Sequence, residues 1–248
     1  MTIQSPLIIA HRGAAGEAPE NTLAAFQLAV EQGCHAIELD VHLSKDGEVI
    51  VCHDATVNRT TDGIGTIHDM TVEQLKTLDA GRWFDEKYEG ERLPLLSEVF
   101  DLVPRHIMIN VEIKGSYNRQ LEPALIRLMQ EYNRVDTVVI SSFDHKSLLF
   151  AKLIEPMAKI GLLYDVNAVR HAALADLLGT NVYSLHPNFK RIDKAEVQDA
   201  ISQGLQVYPY TLNDEKRMKQ AIEYGVSGII TDFPARLRAL LASPQAVK

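Results

Sequence analysis

The sequence predicts an α/β fold, a (β/α)8 TIM barrel with a small insertion between its second strand and second helix. Short β-rich apolar runs alternate with helical patterns along almost the whole chain. Together they make eight βα units in 248 residues, a length typical of one such barrel. Charged and histidine residues gather at the C-terminal ends of the runs, the face on which barrels carry their sites. A doubly wound open sheet is the alternative that the alternation alone allows.

The first expected strand, 7–10, leads to a helix at 22–32, with Asn21 as its cap and Gly33 closing it in the left-handed conformation. The second strand, 36–41, is followed by a break in the pattern. Lys45-Asp46-Gly47 reads as a turn before a strand at 48–52, then come a polar stretch around Thr60-Thr61-Asp62-Gly63 and a short helix at 72–78. This insertion, about 54–96 in a single domain of 1–248, is expected to shape the mouth of the barrel. Ser97 is the expected cap of a helix at 97–103. Strands at 107–113, 137–141, 159–163, 182–185, 206–210 and 228–231 then alternate with helices at 119–132, 145–154, 168–178, 194–203, 214–224 and 235–241. Asn213 is the expected cap of the helix at 214–224 and Gly225 its terminator, while Pro234 suits the start of the last.

Apolar residues make up 46% and charged residues 23%, enough for a sizeable core. The net charge of −8 argues against a nucleic-acid partner but leaves room for an anionic small molecule held by local cations. No apolar run approaches the roughly 20 residues that span a bilayer, so stable membrane insertion is not expected. No basic stretch precedes the apolar run at 7–10, so no secretory leader is read and a cytoplasmic location is expected. Cys34 and Cys52 read as small core residues. Whether the chain forms a homo-oligomer is left open.

The strand Ile37-Glu38-Leu39-Asp40-Val41 alternates strictly, so Glu38 and Asp40 share the face opposite the three apolar residues. With the apolar face against the helices, both carboxylates point into the barrel. Two like charges there must protonate or find a cation. Glu112 and Lys114 repeat the device on the next barrel strand. Three carboxylates without cysteine suit one hard divalent cation, Mg²⁺ or Ca²⁺. An inward salt-bridge network with Lys114, serving stability, is the alternative.

The first strand ends in His11-Arg12-Gly13, and His53-Asp54 follows the strand at 48–52. Phosphodiester hydrolysis needs such a set. Cations hold the phosphate, one imidazole takes a proton from the nucleophile, and the other gives one to the leaving alcohol. His42 is read as a rim residue, His186 as a rim position, and Phe143 as packing beside the pocket.

His11-Arg12-Gly13, Pro19-Glu20-Asn21-Thr22, Glu38-Leu39-Asp40-Val41, His53-Asp54, Glu112-Ile113-Lys114 and Gly228-Ile229-Ile230-Thr231-Asp232-Phe233-Pro234 together resemble the glycerophosphodiester phosphodiesterase family. The likeness runs over about 7–240 and is nearest to cytosolic, single-domain bacterial-type members. It implies a barrel with an insertion and metal-dependent hydrolysis of glycerophosphodiesters, such as glycerophosphocholine and glycerophosphoethanolamine. The products implied are sn-glycerol 3-phosphate and an alcohol. It further implies His11 and His53 as general acid and base, Arg12 and Lys114 on the phosphate, and Glu38, Asp40 and Glu112 on the metal. Ser227 and Tyr210 stand where many relatives carry aspartate and tryptophan. A metal-dependent lyase or isomerase of enolate type is the competing function on the same barrel. Two histidines spanning a phosphate favour the diesterase.

Overall fold

The computed structural model describes residues 5–243; residues 1–4, where the segment read for a leader begins, lie outside them. Eight parallel strands form the barrel: β1 (Leu7–His11), β2 (Ala36–Leu43), β4 (Met108–Ile113), β5 (Val138–Ser142), β6 (Lys159–Tyr164), β7 (Ser184–Pro187), β8 (Gln206–Val207) and β9 (Gly228–Thr231). A further short strand, β3 (Val49–Val51), runs antiparallel to the end of β2. The barrel order is β8-β7-β6-β5-β4-β2-β1-β9. The remaining seam is bridged by backbone bonds from Ser227 N–H to Val207 O (3.0 Å) and from Leu212 N–H to Ile230 O (2.9 Å). The ladder of β8 is short because Pro209 has no N–H to donate, although Tyr208 and Tyr210 still bond to β7.

The strands climb relative to the ladder. Partners followed from His11 through Glu38, Asn110 and Val139 arrive at Lys159, the first residue of β6. Interior layers therefore draw on alternate strands, and His11, Glu112, Leu163 and Tyr210 meet at the upper rim. Ile37, Leu39, Val41, Val111 and Ile113 face the helices in the main core, as the alternation requires. Ile9, Ala36, Tyr208 and Ile230 pack inside the barrel.

The helices are α1 (Leu23–Glu31), α2 (Val72–Leu75), α3 (Leu96–Leu102), α4 (Leu121–Glu131), α5 (His145–Ile154), α6 (Ala173–Asp176), α7 (Lys194–Ser202), α8 (Glu215–Tyr224) and α9 (Pro234–Ala242). Gly33 and Gly225 adopt the expected left-handed conformation, and Pro234 opens α9. Three caps differ from expectation. Thr22, not Asn21, caps α1, because its extended backbone lets Oγ1 accept the Ala25 N–H while Asn21 turns to Asp40. The helix expected from Ser97 starts one residue earlier, and Glu98 reaches back to the Leu95 N–H (2.7 Å). Asp214, not Asn213, caps α8, since Asn213 is bonded to Asp232.

The helix expected at 168–178 is reduced to α6. Its residues are good helix formers, but Val169 is 98% exposed and Leu177 81%, so no continuous apolar face anchors them. The turns there close mainly through i to i+3 bonds, around a buried His171 that pairs with the Tyr164 hydroxyl. The insertion has its own small core of Ile50, Cys52, Val57, Ile67, Leu75, Ala80 and Leu93.

Thr22→Ala should lower stability by about 1 kcal/mol, the usual cost of a lost cap. Denaturant unfolding checks it. A change within error would mean that Thr22 does not hold the helix start.

Candidate active site

Each strand end delivers one part of the site. After His11 the backbone turns through Arg12 (φ +53°) and Gly13 (φ +84°). A Cβ at Gly13 would lie 2.6 Å from the Ala25 backbone, so glycine lets the turn lie against α1. The turn aims the Arg12 N–H at Glu38 Oε2 (3.0 Å). The Arg12 guanidinium then reaches Glu20 Oε1 through Nη1 (2.9 Å) and Asp40 Oδ2 through Nε (3.2 Å). Asn21, at φ +57°, donates to Asp40 Oδ2 (2.9 Å).

Glu38, Asp40 and Glu112 are all buried, and one oxygen from each lies within 4.8 Å of the others. Lys114 Nζ donates to Glu112 Oε1 (2.7 Å) and lies 3.6 Å from Asp40 Oδ1. The expected salt bridge with Lys114 therefore exists, but it does not neutralise the set. Burial pushes the Glu38 carboxyl well above its usual range, and Asp40 and Glu112 push it further. Burial and then Asp40 push Glu112 up to about 7. Burial also opposes ionisation of Asp40, yet Arg12 and Lys114 outweigh it and hold that carboxyl below its usual value. Three carboxyl groups outnumber the two cations, so full ionisation of these hard oxygen donors calls for a further positive charge. That donor set fits a divalent cation such as Mg²⁺ or Ca²⁺.

Both histidines are oriented by a carboxylate. His11 Nδ1–H donates to Asp232 Oδ1 (2.5 Å), and Asp232 is held in turn by Asn213 Nδ2 (2.5 Å). Burial opposes ionisation of Asp232, but His11, Asn213 and Arg12 together outweigh it and hold the carboxyl below its usual value. His53 Nδ1–H donates to Asp54 Oδ1 (2.7 Å). Carboxylates only accept, so Nδ1 carries the hydrogen and Nε2 of each ring is left to the cleft. His53 Nε2 lies 3.2 Å from Lys114 Nζ, and His11 Nε2 lies 3.9 Å from Glu38 Oε2. Burial holds the His53 imidazole below its usual value, although Asp40 and Asp54 oppose this. The neutral form of the His53 imidazole is thus favoured.

All seven expected site residues converge: His11, Arg12, Glu38, His53, Glu112 and Lys114 line one cleft of about 210 Å³, and Asp40 sits buried beside Glu38 and Glu112. Phe143, Leu163, Tyr210 and Ile230 form an apolar wall along the same cleft. Phe143 is 52% exposed and meets Tyr210 edge to face, so it is a wall of the cleft rather than packing. His42 is not at the rim. It is buried, accepts from the Tyr117 hydroxyl, and donates through Nε2 to the His53 carbonyl (3.1 Å). His186 is also buried, because it lies within β7 and fills the space left by Gly161. A Cβ at Gly161 would come within 2.5 Å of His186 Nε2.

Asp232 and Glu20 touch this set, Asn213 and Arg59 reach it through them, and none of the four has a role in the site on sequence grounds. Asp232 carried a signal, an acid at the C-terminal end of the last strand. Glu20 stood only within the stretch Pro19-Glu20-Asn21-Thr22, and its pairing with Arg59, 39 positions away, carried no signal.

The model of the glycerophosphoryl diester phosphodiesterase family matches residues 11–236. A glycerophosphodiester phosphodiesterase of Caldanaerobacter subterraneus subsp. tengcongensis is 45% identical over 93% of this chain and 96% of its own length. A human lysophospholipase D is 30% identical over 94% of this chain and 85% of its own. The structure of an Oleispira antarctica phosphodiesterase, solved with the product sn-glycerol-3-phosphate, aligns with a TM-score of 0.90 and 31% identity. That alignment covers 96% of this chain and 98% of the other. Among the described residues, no helix is long and apolar enough to cross a membrane.

With Glu112 raised to about 7, it is mostly protonated at pH 6 and mostly ionised at pH 8. A cation binding this carboxylate must displace its proton. Calorimetry in buffers of different ionisation enthalpy should show more protons released per Mg²⁺ at pH 6 than at pH 8. Apparent affinity should rise between the two. Equal proton release would remove Glu112 from the ligand set.

Proposed function

Given that the chain belongs to the glycerophosphodiester phosphodiesterase family, and is an enzyme of that kind, we propose that it hydrolyses small glycerophosphodiesters to sn-glycerol 3-phosphate and a free alcohol. Glycerophosphocholine and glycerophosphoethanolamine are the substrates proposed. The observation that carries this reading is the pair of carboxylate-oriented histidines opening on one cleft with Arg12, Lys114 and three buried acids. The Oleispira antarctica relative, with its bound product, supports the same outcome here.

In this reading Arg12 and Lys114 hold the phosphate oxygens, Arg12 through its planar fork. His53, whose Nε2 is an acceptor that Lys114 faces across the cleft, takes the proton of the attacking hydroxyl. His11 returns a proton to the leaving alcohol. Asp54 and Asp232 keep each ring in the required tautomer and stabilise the imidazolium that forms. Glu38, Asp40 and Glu112 would hold one Mg²⁺ or Ca²⁺. When bound, such a cation supplies Lewis-acid stabilisation of charge at the phosphoryl group. The apolar wall of Phe143, Leu163 and Ile230 supports a second substrate class, the lysophospholipids that the name of the human relative implies.

Purified protein should release glycerol 3-phosphate from glycerophosphocholine with Mg²⁺ or Ca²⁺ and lose that activity on chelation. His11→Ala and His53→Ala should each lower kcat about a hundredfold or more, since a positioned acid or base supplies about 10²–10⁴. A nitrophenyl diester, whose leaving group needs no proton, should restore His11→Ala but not His53→Ala. The opposite pattern would exchange the two roles. Activity in rigorously metal-free protein would remove the cation from the reading.

A further inference from the structure

Arg59 lies in the insertion, on none of the barrel strands, yet its guanidinium forks onto two carboxylates at once. Nη1 and Nη2 donate to Glu20 Oε2 and Oε1 (both 2.8 Å). Nε and Nη2 donate to Asp54 Oδ2 (2.8 Å) and Oδ1 (3.1 Å). The nitrogen common to both forks is Nη2. The oxygens it touches are the two that hold the machinery: Glu20 Oε1 also accepts from Arg12, and Asp54 Oδ1 also accepts from His53. A continuous chain thus runs Arg12–Glu20–Arg59–Asp54–His53.

We propose that Arg59 is a positioning residue that locks the phosphate-holding Arg12 and the proton carrier His53 into one geometry through Glu20 and Asp54. The proposal rests on the roles given above to Arg12 and His53. Arg59 is suited to this by shape. Only a planar fork can satisfy four carboxylate oxygens at once, and a lysine ammonium in its place could serve one carboxylate well. Isolated surface ion pairs contribute little, and the Arg59 side chain is 44% exposed. The consequence to expect is therefore geometric rather than one of stability. The insertion has its own apolar core and backbone bonds, such as Val57 N–H to Gly65 O (3.0 Å), to keep it folded without Arg59. Without Arg59, Asp54 becomes free to turn from His53, and Glu20 from Arg12. Misplacement by a fraction of a bond length is enough to slow a positioned proton transfer.

The test compares wild type, Arg59→Met, Arg59→Lys, Asp54→Asn and the double variant Arg59→Met with Asp54→Asn, on a diester that the wild type cleaves. Arg59→Met should lower kcat by about tenfold or more with KM changed less than about threefold. Arg59→Lys should recover little of that loss. The double variant should lose clearly less than the product of the two single losses, because Arg59 and Asp54 share one arm while the arm through Glu20 is separate. A second measurement needs no substrate. In protein carrying ¹⁵N-labelled imidazoles, His53 should be protonated at Nδ1 in the wild type and should exchange between tautomers in Arg59→Met. Wild-type kcat in Arg59→Met, full recovery in Arg59→Lys, or losses that multiply in the double variant would overturn the proposal. So would an unchanged His53 tautomer in Arg59→Met. Failure of the wild type to cleave any glycerophosphodiester would instead overturn the substrate assignment, and the imidazole measurement would still decide the role of Arg59.

Discussion

Three carboxylates are forced into the closed interior of a barrel, and most of the site answers that constraint. Glu38, Asp40 and Glu112 cannot turn outward, because their strand neighbours Ile37, Leu39, Val41, Val111 and Ile113 are committed to the helix layer. The surrounding groups are set against this charge. The left-handed turn at Arg12 brings both a backbone N–H and a guanidinium to it, Asn21 gives up a helix cap for it, and Lys114 folds back onto it. The same surplus of carboxyl groups over cations makes the place hospitable to a small cation and, with Arg12 and Lys114 beside it, to a phosphate.

The architecture could be anticipated because its signals are local and periodic. A period of two along residues 36–41 dictates which side chains look inward, and a one-residue slip would have put the acids outside. Ends of elements were less legible. Asn21 and Thr22 are both good caps, as are Asn213 and Asp214, and only the distant partners Asp40 and Asp232 decide which of each pair is free for the helix. The stretch 168–178 shows the converse. Alanine and leucine there promise a helix, but nothing packs on Val169 or Leu177 to hold one.

Within the site, residues carried on strand ends were legible and those that orient them were less so. His11, Glu38, His53 and Glu112 announce themselves by chemistry at a strand end. His186 misled for a steric reason, since its inward position depends on the absence of a side chain at Gly161 on the neighbouring strand. The link between Glu20 and Arg59 had no sequence signature at all. Nothing short of the fold brings the turn after β1 against the insertion, where the Tyr88 hydroxyl also bonds the Glu17 carbonyl (3.1 Å).

The two histidines are anchored in units of different build. His11 closes a strand flanked on both sides by barrel neighbours, while His53 follows β3, three residues that pair with the tip of β2. Val49 and Val51 of β3 pack into the main core, while Ile50, Cys52 and the apolar residues that follow His53 form the small core of the insertion. Such a subunit of structure can open locally at a free energy well below that of global unfolding. Were the insertion to open in this way, the barrel would keep its acids and His11 while the second imidazole was withdrawn. Amide hydrogens of the insertion, such as that of Val57, would exchange through that state before those of β1 and β9. On warming, the loss of turnover would then run ahead of the loss of the fold.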